Sequence, residues 1–368
     1  MRAKTICARI AAVLCASATL LAAKAPDKTY FVYLVCESAD KVAVVKYGKD
    51  GARLDHTVHT GVLPTGDISG PHGIVISPDR QFYYVTIAHG RPYGQVLKYR
   101  LRDDAVVGQT TLGYFPATID VSPDGNFVYA VNFNLHGDMV PSSVSVVATD
   151  AMVEAARVQT CVMPHGSRLN PQGTLQYSGC MMDDMLVEID TAHFRVSRYF
   201  VLTRGKEAGG NGSPSVHHAM SDATCSPTWA QPSADGSSVF VACNKSDEIV
   251  EVDAKQWKLV RRIPAGPGVY NLAVSRDGKL LVATNKRGQS VSIFDVQSGR
   301  ELMRRPTKRK VPDGVVISPD NQYAFVAVEG IGSEPGTVEV IDLQALDTVA
   351  TVDVPEQAVG IDFWKSEP

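Results

Sequence analysis

A turn of the Ser-Pro-Asp-Gly type recurs six times in this chain, each time between two short apolar segments. The Ser or Asn that opens the turn stands at positions 77, 122, 170, 233, 275 and 318, at intervals of 45, 48, 63, 42 and 43 residues. In the first copy, β-branched residues precede the turn, Pro78 and Asp79 favour the turn itself, and an apolar strand follows. Strand pairs that repeat every ~40–45 residues are typical of β-propeller blades, which have four strands each.

The two ends of the chain supply one further blade. Residues 29–47 form two predicted strands without the usual preceding strand, and residues 357–364 resemble the first strand of a blade, after which the chain stops. Pairing the last strand with the first two would complete a blade and leave no open sheet edge. The sequence therefore predicts an all-β, seven-bladed propeller over residues 29–365, closed by the C-terminal strand. The long 63-residue interval is expected to hold a loop insertion, residues 205–224, and not an eighth blade.

The N-terminus has the features of a secretory signal peptide. Arg2, Lys4 and Arg9 precede or open an apolar run that ends in Ala-Lys-Ala at 23–25, and the run is too short to span a bilayer. We expect residues 1–25 to be removed and the mature chain to be periplasmic or secreted, without a membrane span. Removal of four positive charges and no negative ones changes the formal net charge from −3 to −7, which argues against general nucleic-acid binding.

The repeats resemble a known family. The Ser-Pro-Asp-Gly turns are followed by FVYAVN, VFVACN and LLVATN, which are similar to YVTN repeats, and nearly all of the mature chain resembles secreted proteins of the YncE-like group. The resemblance implies a β-propeller but no particular activity, because propellers carry enzymes, cofactor sites and binding surfaces alike. Related propellers include lactonases, the haem d1 domain of nitrite reductases and subunits of some amine dehydrogenases.

Aligning the repeats predicts which residues lie at the same height in the propeller. Five positions before each turn residue, at the start of the inner strand, stand His72, Ala117, His165, Thr228, Tyr270 and Asp313. Together with Val359, the equivalent residue of the composite blade, they form a set that we name the mouth ring. The residues ten positions after the turn residue end the second strand and include Cys180 and Cys243, with Cys36 by analogy. Since an antiparallel hairpin returns to the face that it left, both sets belong to one face.

This convergence suggests a metal or cofactor site at the mouth of the central channel. Imidazole, thiolate and thioether groups suit copper or zinc. We expect His72 and His165 as ligands, with His217, His218 or Cys225 closing the site from the inserted loop. Met163, Met181 and Met182 add soft donors nearby.

A structural role for the same residues is the competing interpretation. Each His of the two Pro-His-Gly segments can simply bond a neighbouring carbonyl, and Cys36, Cys180 and Cys243 are suited to packing or disulfides. The mature chain has five cysteines, at 36, 161, 180, 225 and 243, so at least one stays outside any intramolecular pairing. No CxxC, HExxH or CxxCH motif is present.

The mouth also suits ligand binding or catalysis without a metal. Tyr270, Asp313, Thr228 and Arg168 are candidate contacts for a ligand, and a His opposite an Asp can act as a general base. The interpretation that we carry forward is a binding protein that holds a small molecule, metal or protein partner at its top face. The alternatives are a metal- or cofactor-dependent oxidoreductase subunit and a lactonase-like hydrolase.

Overall fold

The computed structural model describes residues 25–61, 68–89, 94–214 and 223–368. Their strands form seven antiparallel sheets, of which six have four strands and one has five. One short 3-10 helix, Glu37–Ala39, follows the first strand. This confirms the predicted seven-bladed propeller. We number the blades from the N-terminus.

Blade 1 contains β1 (Thr29–Cys36), β2 (Lys41–Gly48), β3 (Gly51–His59) and the last strand β29 (Ala358–Glu367). Blade 2 contains β4 (Pro71–Ile76), β5 (Phe82–Ile87), β6 (Gln95–Arg100) and β7 (Ala105–Thr111). Blade 3 contains β8 (Pro116–Val121), β9 (Phe127–Asn132), β10 (Pro141–Ala148) and β11 (Val153–Val162). Blade 4 contains β12 (Pro164–Leu169), β13 (Leu175–Cys180), β14 (Met185–Asp190), β15 (Arg195–Val201) and β16 (Ala208–Asn211).

Blade 5 contains β17 (Pro227–Pro232), β18 (Ser238–Cys243), β19 (Glu248–Asp253) and β20 (Lys258–Pro264). Blade 6 contains β21 (Val269–Val274), β22 (Leu280–Asn285), β23 (Ser290–Asp295) and β24 (Glu301–Pro306). Blade 7 contains β25 (Val311–Ile317), β26 (Tyr323–Glu329), β27 (Pro335–Asp342) and β28 (Asp347–Glu356).

The predicted closure is present in blade 1. Strand β29 pairs antiparallel with β1, with Leu34 opposite Ile361 and Cys36 opposite Ala358. The C-terminal strand is thus the innermost strand of the N-terminal blade. The inserted segment after blade 4 differs from the prediction, because β16 pairs with β15 and adds a short fifth strand where only a loop was expected.

Each repeated turn is held by its own side chains. In blade 2, Ser77 Oγ donates to Asp79 Oδ1 at 2.5 Å and accepts the backbone N–H of Phe82 at 2.9 Å. In blade 4, Asn170 takes the place of Ser, and its Oδ1 accepts the N–H groups of Thr174 and Leu175. Because these bonds fix the length of the turn, they fix the register of every inner hairpin.

Among the described residues, seven hydrophobic clusters lie between adjacent sheets, one for each pair, and an eighth lies at one end of the channel. The cluster between blades 7 and 1, for example, packs Phe325 and Val340 against Leu34 and Val45. Every blade therefore depends on both of its neighbours for burial of its apolar faces.

Neighbouring inner strands approach closely where a Gly follows a mouth-ring residue. A Cβ on Gly314 would overlap the carbonyl oxygen of Val359, and one on Gly166 would overlap that of Thr228. The absence of a side chain at these positions allows adjacent inner strands to lie close together around the channel axis.

Gly314→Ala is expected to lower the free energy of unfolding by ~1–3 kcal/mol, since the added methyl group forces two inner strands apart. Asn271→Ala is the control, because Asn271 occupies the equivalent position in blade 6 with a side chain already present. Urea unfolding followed by circular dichroism measures both. Equal stability of Gly314→Ala and the wild-type chain would contradict this account of the close approach.

Candidate functional site

The mouth of the central channel gathers ionisable and aromatic side chains from several blades. The rings of His72 and His165 lie 6.4 Å apart between centroids. Asp313 lines the same pocket, and the hydroxyl of Tyr270 lies within hydrogen-bond distance of His165. Since blades 2, 4, 6 and 7 supply these four residues, the site exists only because the ring is closed.

Hydrogen bonds hold His165 in one tautomer. Its Nδ1 lies 2.8 Å from the carbonyl oxygen of Thr228, which only accepts, so Nδ1 carries the hydrogen. Its Nε2 then accepts from the hydroxyl of Tyr270 at 3.0 Å. Burial, with His72 adding to it, lowers the pKa of His165 to about 4. His165 is therefore a neutral, fully bonded imidazole with no nitrogen left for a metal or a substrate proton.

A buried ion cluster lies beside Tyr270. The ammonium group of Lys286 is 2.5 Å from Asp313 Oδ2, 3.2 Å from Glu329 Oε1, and 3.8 Å from the centroid of the Tyr270 ring. Burial alone would lower the pKa of Lys286, but Asp313 holds it well above its ordinary value. Burial alone would raise the pKa of Asp313, but Lys286 outweighs it and the pKa is lowered.

Glu329 behaves differently within this cluster. Burial raises its pKa to about 7; Lys286 opposes this rise and Asp313 adds to it. A carboxyl group with such a pKa exchanges its proton near neutral pH, which is the property of an acid–base catalyst. The ion cluster thus combines a fixed charge pair, Lys286 with Asp313, and a carboxyl group that titrates.

Across the opening, Glu37 faces two imidazoles. Its Oε1 lies 2.7 Å from His89 Nε2, and its Oε2 lies 3.8 Å from His72 Nε2. No other hydrogen bond or ion pair involves the His72 ring within the described part of the chain, and 15% of the side chain is exposed. His72 is therefore partly accessible and lies beside the buried carboxylate of Glu37.

The remaining side of the mouth is apolar. Phe115, Phe133 and Met163 form a small cluster with partly buried Met181 and Met182. Phe133 contacts His165 edge to face at 4.7 Å between centroids. Charged groups thus occupy the opening on blades 6, 7 and 1, whereas aromatic and thioether groups occupy it on blades 3 and 4.

The pocket that His72, His165 and Asp313 line at the channel has a volume of only about 30 Å³, which is room for about one water molecule. Arg168 lines it three residues beyond His165, roughly 10 Å along the strand. Its guanidinium donates to the carbonyl oxygens of Ser167 and Ile119 and lies over the ring of Trp229. Arg168 therefore lines the same pocket as His72, His165 and Asp313, with its guanidinium held against the channel wall.

The predicted metal ligands are not assembled. Cys225 forms a disulfide with Cys243, so the expectation that it supplies a thiolate is wrong for this oxidised chain. His217 and His218 lie outside the described residues. Cys161 pairs with Cys180, and Cys36 is a buried free thiol. Within the ranges that the structure describes, no three His, Cys, Asp or Glu side chains converge as a metal site.

Thr228 contributes through the backbone as much as through its side chain. Its hydroxyl donates to the carbonyl oxygen of Tyr270 at 2.8 Å, while its own carbonyl oxygen accepts from His165. The hydroxyl and the carbonyl group of Thr228 are thus both engaged in hydrogen bonds to neighbouring mouth residues.

Sequence reasoning missed Glu37, Lys286 and Glu329. Glu37 and Lys286 immediately follow the second strand of their blades, and Glu329 is the last residue of that strand in blade 7. Lys286 and Glu329 both stand eleven residues beyond their turn residue. Extending the repeat alignment by one residue would have found them. His89 and His136 lie in connections of different lengths, where the repeat gives no register.

Comparison with known proteins agrees with this architecture. Residues 23–172 match the model of a family described as lactonase, 7-bladed β-propeller. No curated protein sequence is significantly similar to the chain. The match covers fewer than half of the residues, so it identifies the propeller class and not membership of that family.

Solved structures show the same fold at low sequence identity. The periplasmic gluconolactonase of Pseudomonas aeruginosa is 20% identical, with a TM-score of 0.67 over 91% of this chain and 99% of that one. A candidate 6-phosphogluconolactonase from Bacteroides uniformis is 16% identical, with a TM-score of 0.67 over 92% and 100%. Hydrazine synthase of Kuenenia stuttgartiensis is 20% identical, with a TM-score of 0.61 over 78% and 80%. The YVTN resemblance has no counterpart among these findings.

His165 is expected to remain neutral and Nδ1-protonated down to about pH 5 and to titrate near 4. Nitrogen-detected NMR of the His side chains measures this. Since the unfolded chain protonates His165 with an ordinary pKa of 6.5, the unfolded state binds more protons between the two values. The contribution of His165 to stability is thus complete above pH 6.5 and is lost as the pH falls through about 4.

Tyr270→Phe removes the donor to the neutral ring and should raise the pKa of His165. Titration of His165 above pH 6 in the wild-type chain would contradict the assignment.

Proposed function

We propose that this protein hydrolyses lactones at the mouth of its propeller. The observation that carries the proposal is the convergence of the accessible His72, flanked by Glu37, with the Lys286–Asp313–Glu329 cluster at one opening. The match of residues 23–172 to a lactonase family supports it, as do structural relatives described as gluconolactonases. These findings favour the lactonase-like alternative over the interpretation as a pure binding protein.

In the proposed reaction His72 acts as general base. It takes a proton from water as the water oxygen attacks the lactone carbonyl carbon, and Glu37 stabilises the imidazolium that forms. Lys286 places positive charge beside the oxyanion. When the ring C–O bond breaks, the departing alkoxide takes a proton from a nearby acid, and Glu329, with a pKa of about 7, fits this role. Proton return from His72 to Glu329 through solvent restores the site.

His165 and Tyr270 position the other groups. Their mutual hydrogen bond and the contact between Lys286 and the Tyr270 ring hold the cation at a fixed place on the mouth. A preorganised charge of this kind costs little reorganisation during reaction.

His72→Gln should lower kcat/KM for lactone hydrolysis by about 10²–10⁴-fold, because the general base is lost. The assay is proton release in a pH-stat, with the spontaneous hydrolysis of each lactone subtracted. His193→Gln is the control, since His193 is exposed and pairs with Asp190 on the outer part of blade 4. In Glu329→Gln, the decline of rate above about pH 7 should disappear. A His72→Gln variant within threefold of the wild-type rate would overturn the assignment of the base.

We further propose that residues 1–25 direct export and are removed, so that the mature propeller resides in an oxidising compartment such as the periplasm. The two disulfides support this, because such bonds persist where thiols are not kept reduced. Within residues 25–61, 68–89, 94–214 and 223–368, no helix has the length and hydrophobicity that crossing a bilayer requires.

Alkylation followed by intact mass measurement tests this localisation. The exported chain should start near residue 26 and have no reactive thiol when native, one when denatured, and five after reduction. The single thiol is Cys36, which is fully buried. A full-length chain that retains all seven cysteines as free thiols in the cytoplasm would contradict the proposal.

A further inference from the structure

A large cleft lies on the mouth face between blades 2 and 3. Its volume is about 1220 Å³, above the ~300–1,000 Å³ of ordinary small-molecule pockets. Two strand connections bound it, residues 112–115 before β8 and residues 133–140 after β9. A single lactone ring would fill only a small part of this space.

Phe115 joins the cleft to the mouth. Its ring lies edge to face against His72 at 5.5 Å between centroids, and it also lines the cleft, where it contacts His136 at 5.4 Å. A molecule whose reacting carbonyl lies at His72 would therefore extend over Phe115 into the cleft.

The connections around the cleft expose large apolar side chains. Tyr114 is 50% exposed, Leu135 38%, Met139 51% and Val140 53%. Such concentrations of exposed apolar surface mark binding sites in soluble proteins. An alkyl or aryl group would bind this surface most favourably, because binding removes its apolar surface from water.

The charges disfavour an anionic ligand. Arg157 is the one Arg or Lys among the described residues that line the cleft, and Glu154 binds it through two hydrogen bonds of 2.8 Å. At the mouth, Lys286 is similarly committed to Asp313 and Glu329. Among the described residues of the cleft, no Arg or Lys is left unpaired to neutralise a phosphate group, and the carboxylate of Asp138 would repel one.

We infer that the substrate is an uncharged lactone that bears an alkyl or aryl substituent, with the ring at His72 and the substituent over Phe115 in the cleft between blades 2 and 3. This inference rests on the proposed hydrolase function.

The test is the hydrolysis of a series of δ-lactones that bear hydrogen, propyl or pentyl at the ring carbon next to oxygen. The value of kcat/KM should rise about two- to fourfold per methylene group, the factor expected for burial of apolar surface. Gluconolactone 6-phosphate should react at least about tenfold more slowly than gluconolactone, because of the uncompensated carboxylates.

Two matched variants locate the substituent. Val140→Asp should remove most of the gain between the unsubstituted and pentyl lactones. Val153→Asp should leave the whole series unchanged, because Val153 is equally exposed, at 53%, but lies on β11 outside the cleft.

A flat series from an active enzyme, or preference for the phosphorylated lactone, would overturn the substrate class and leave the hydrolase proposal standing. Absence of turnover with every lactone would instead overturn the hydrolase proposal. In that case, calorimetric titration with the corresponding δ-lactams still decides the cleft assignment. Affinity that rises with chain length and falls in Val140→Asp supports it, and no binding of any lactam refutes it.

Discussion

The pairing of β29 with β1 is the contact on which the rest of the structure depends. It joins two segments more than 300 residues apart and turns seven separate sheets into a ring. Without it, blade 1 lacks its inner strand, and the cluster between blades 7 and 1 loses Ala358 and Ile361. The mouth residues come from blades that are not adjacent, as with Tyr270 of blade 6 and His165 of blade 4, so their mutual distances are set by closure and not by any local fold.

The closed ring places two different environments on opposite sides of one opening. His165, near the boundary, is bonded at both nitrogens and stays neutral, whereas His72 is accessible and faces a buried carboxylate. Two imidazoles from identical Pro-His-Gly segments therefore have different chemistry. The difference comes from their neighbours: Thr228 and Tyr270 surround the first, Glu37 and Phe115 the second. The same local sequence is thus structural in blade 4 and a candidate base in blade 2.

The repeat alone predicted most of the fold, because the turn bonds of Ser77 and its counterparts set blade length and register. It also implied that His72, His165 and Asp313 lie close together, since equivalent positions in a ring lie at equal height, and these three line one pocket. It could not predict which mouth residue pairs with which, because those contacts cross between blades. Thus Arg168 proved to be a channel-wall residue, Cys225 a disulfide partner, and Lys286 the centre of an ion cluster. The short strand β16 was not predicted, because Ala208–Asn211 has no alternating apolar pattern.

The position of β29 has a consequence for how the chain acquires its structure. The strand that completes the first blade is synthesised after all other described strands, so β1 keeps an unpaired edge throughout translation. Folding dominated by such distant contacts is slow. Under the export that we propose, slow closure is an advantage, because a chain whose ring is still open can pass unfolded through a secretion channel.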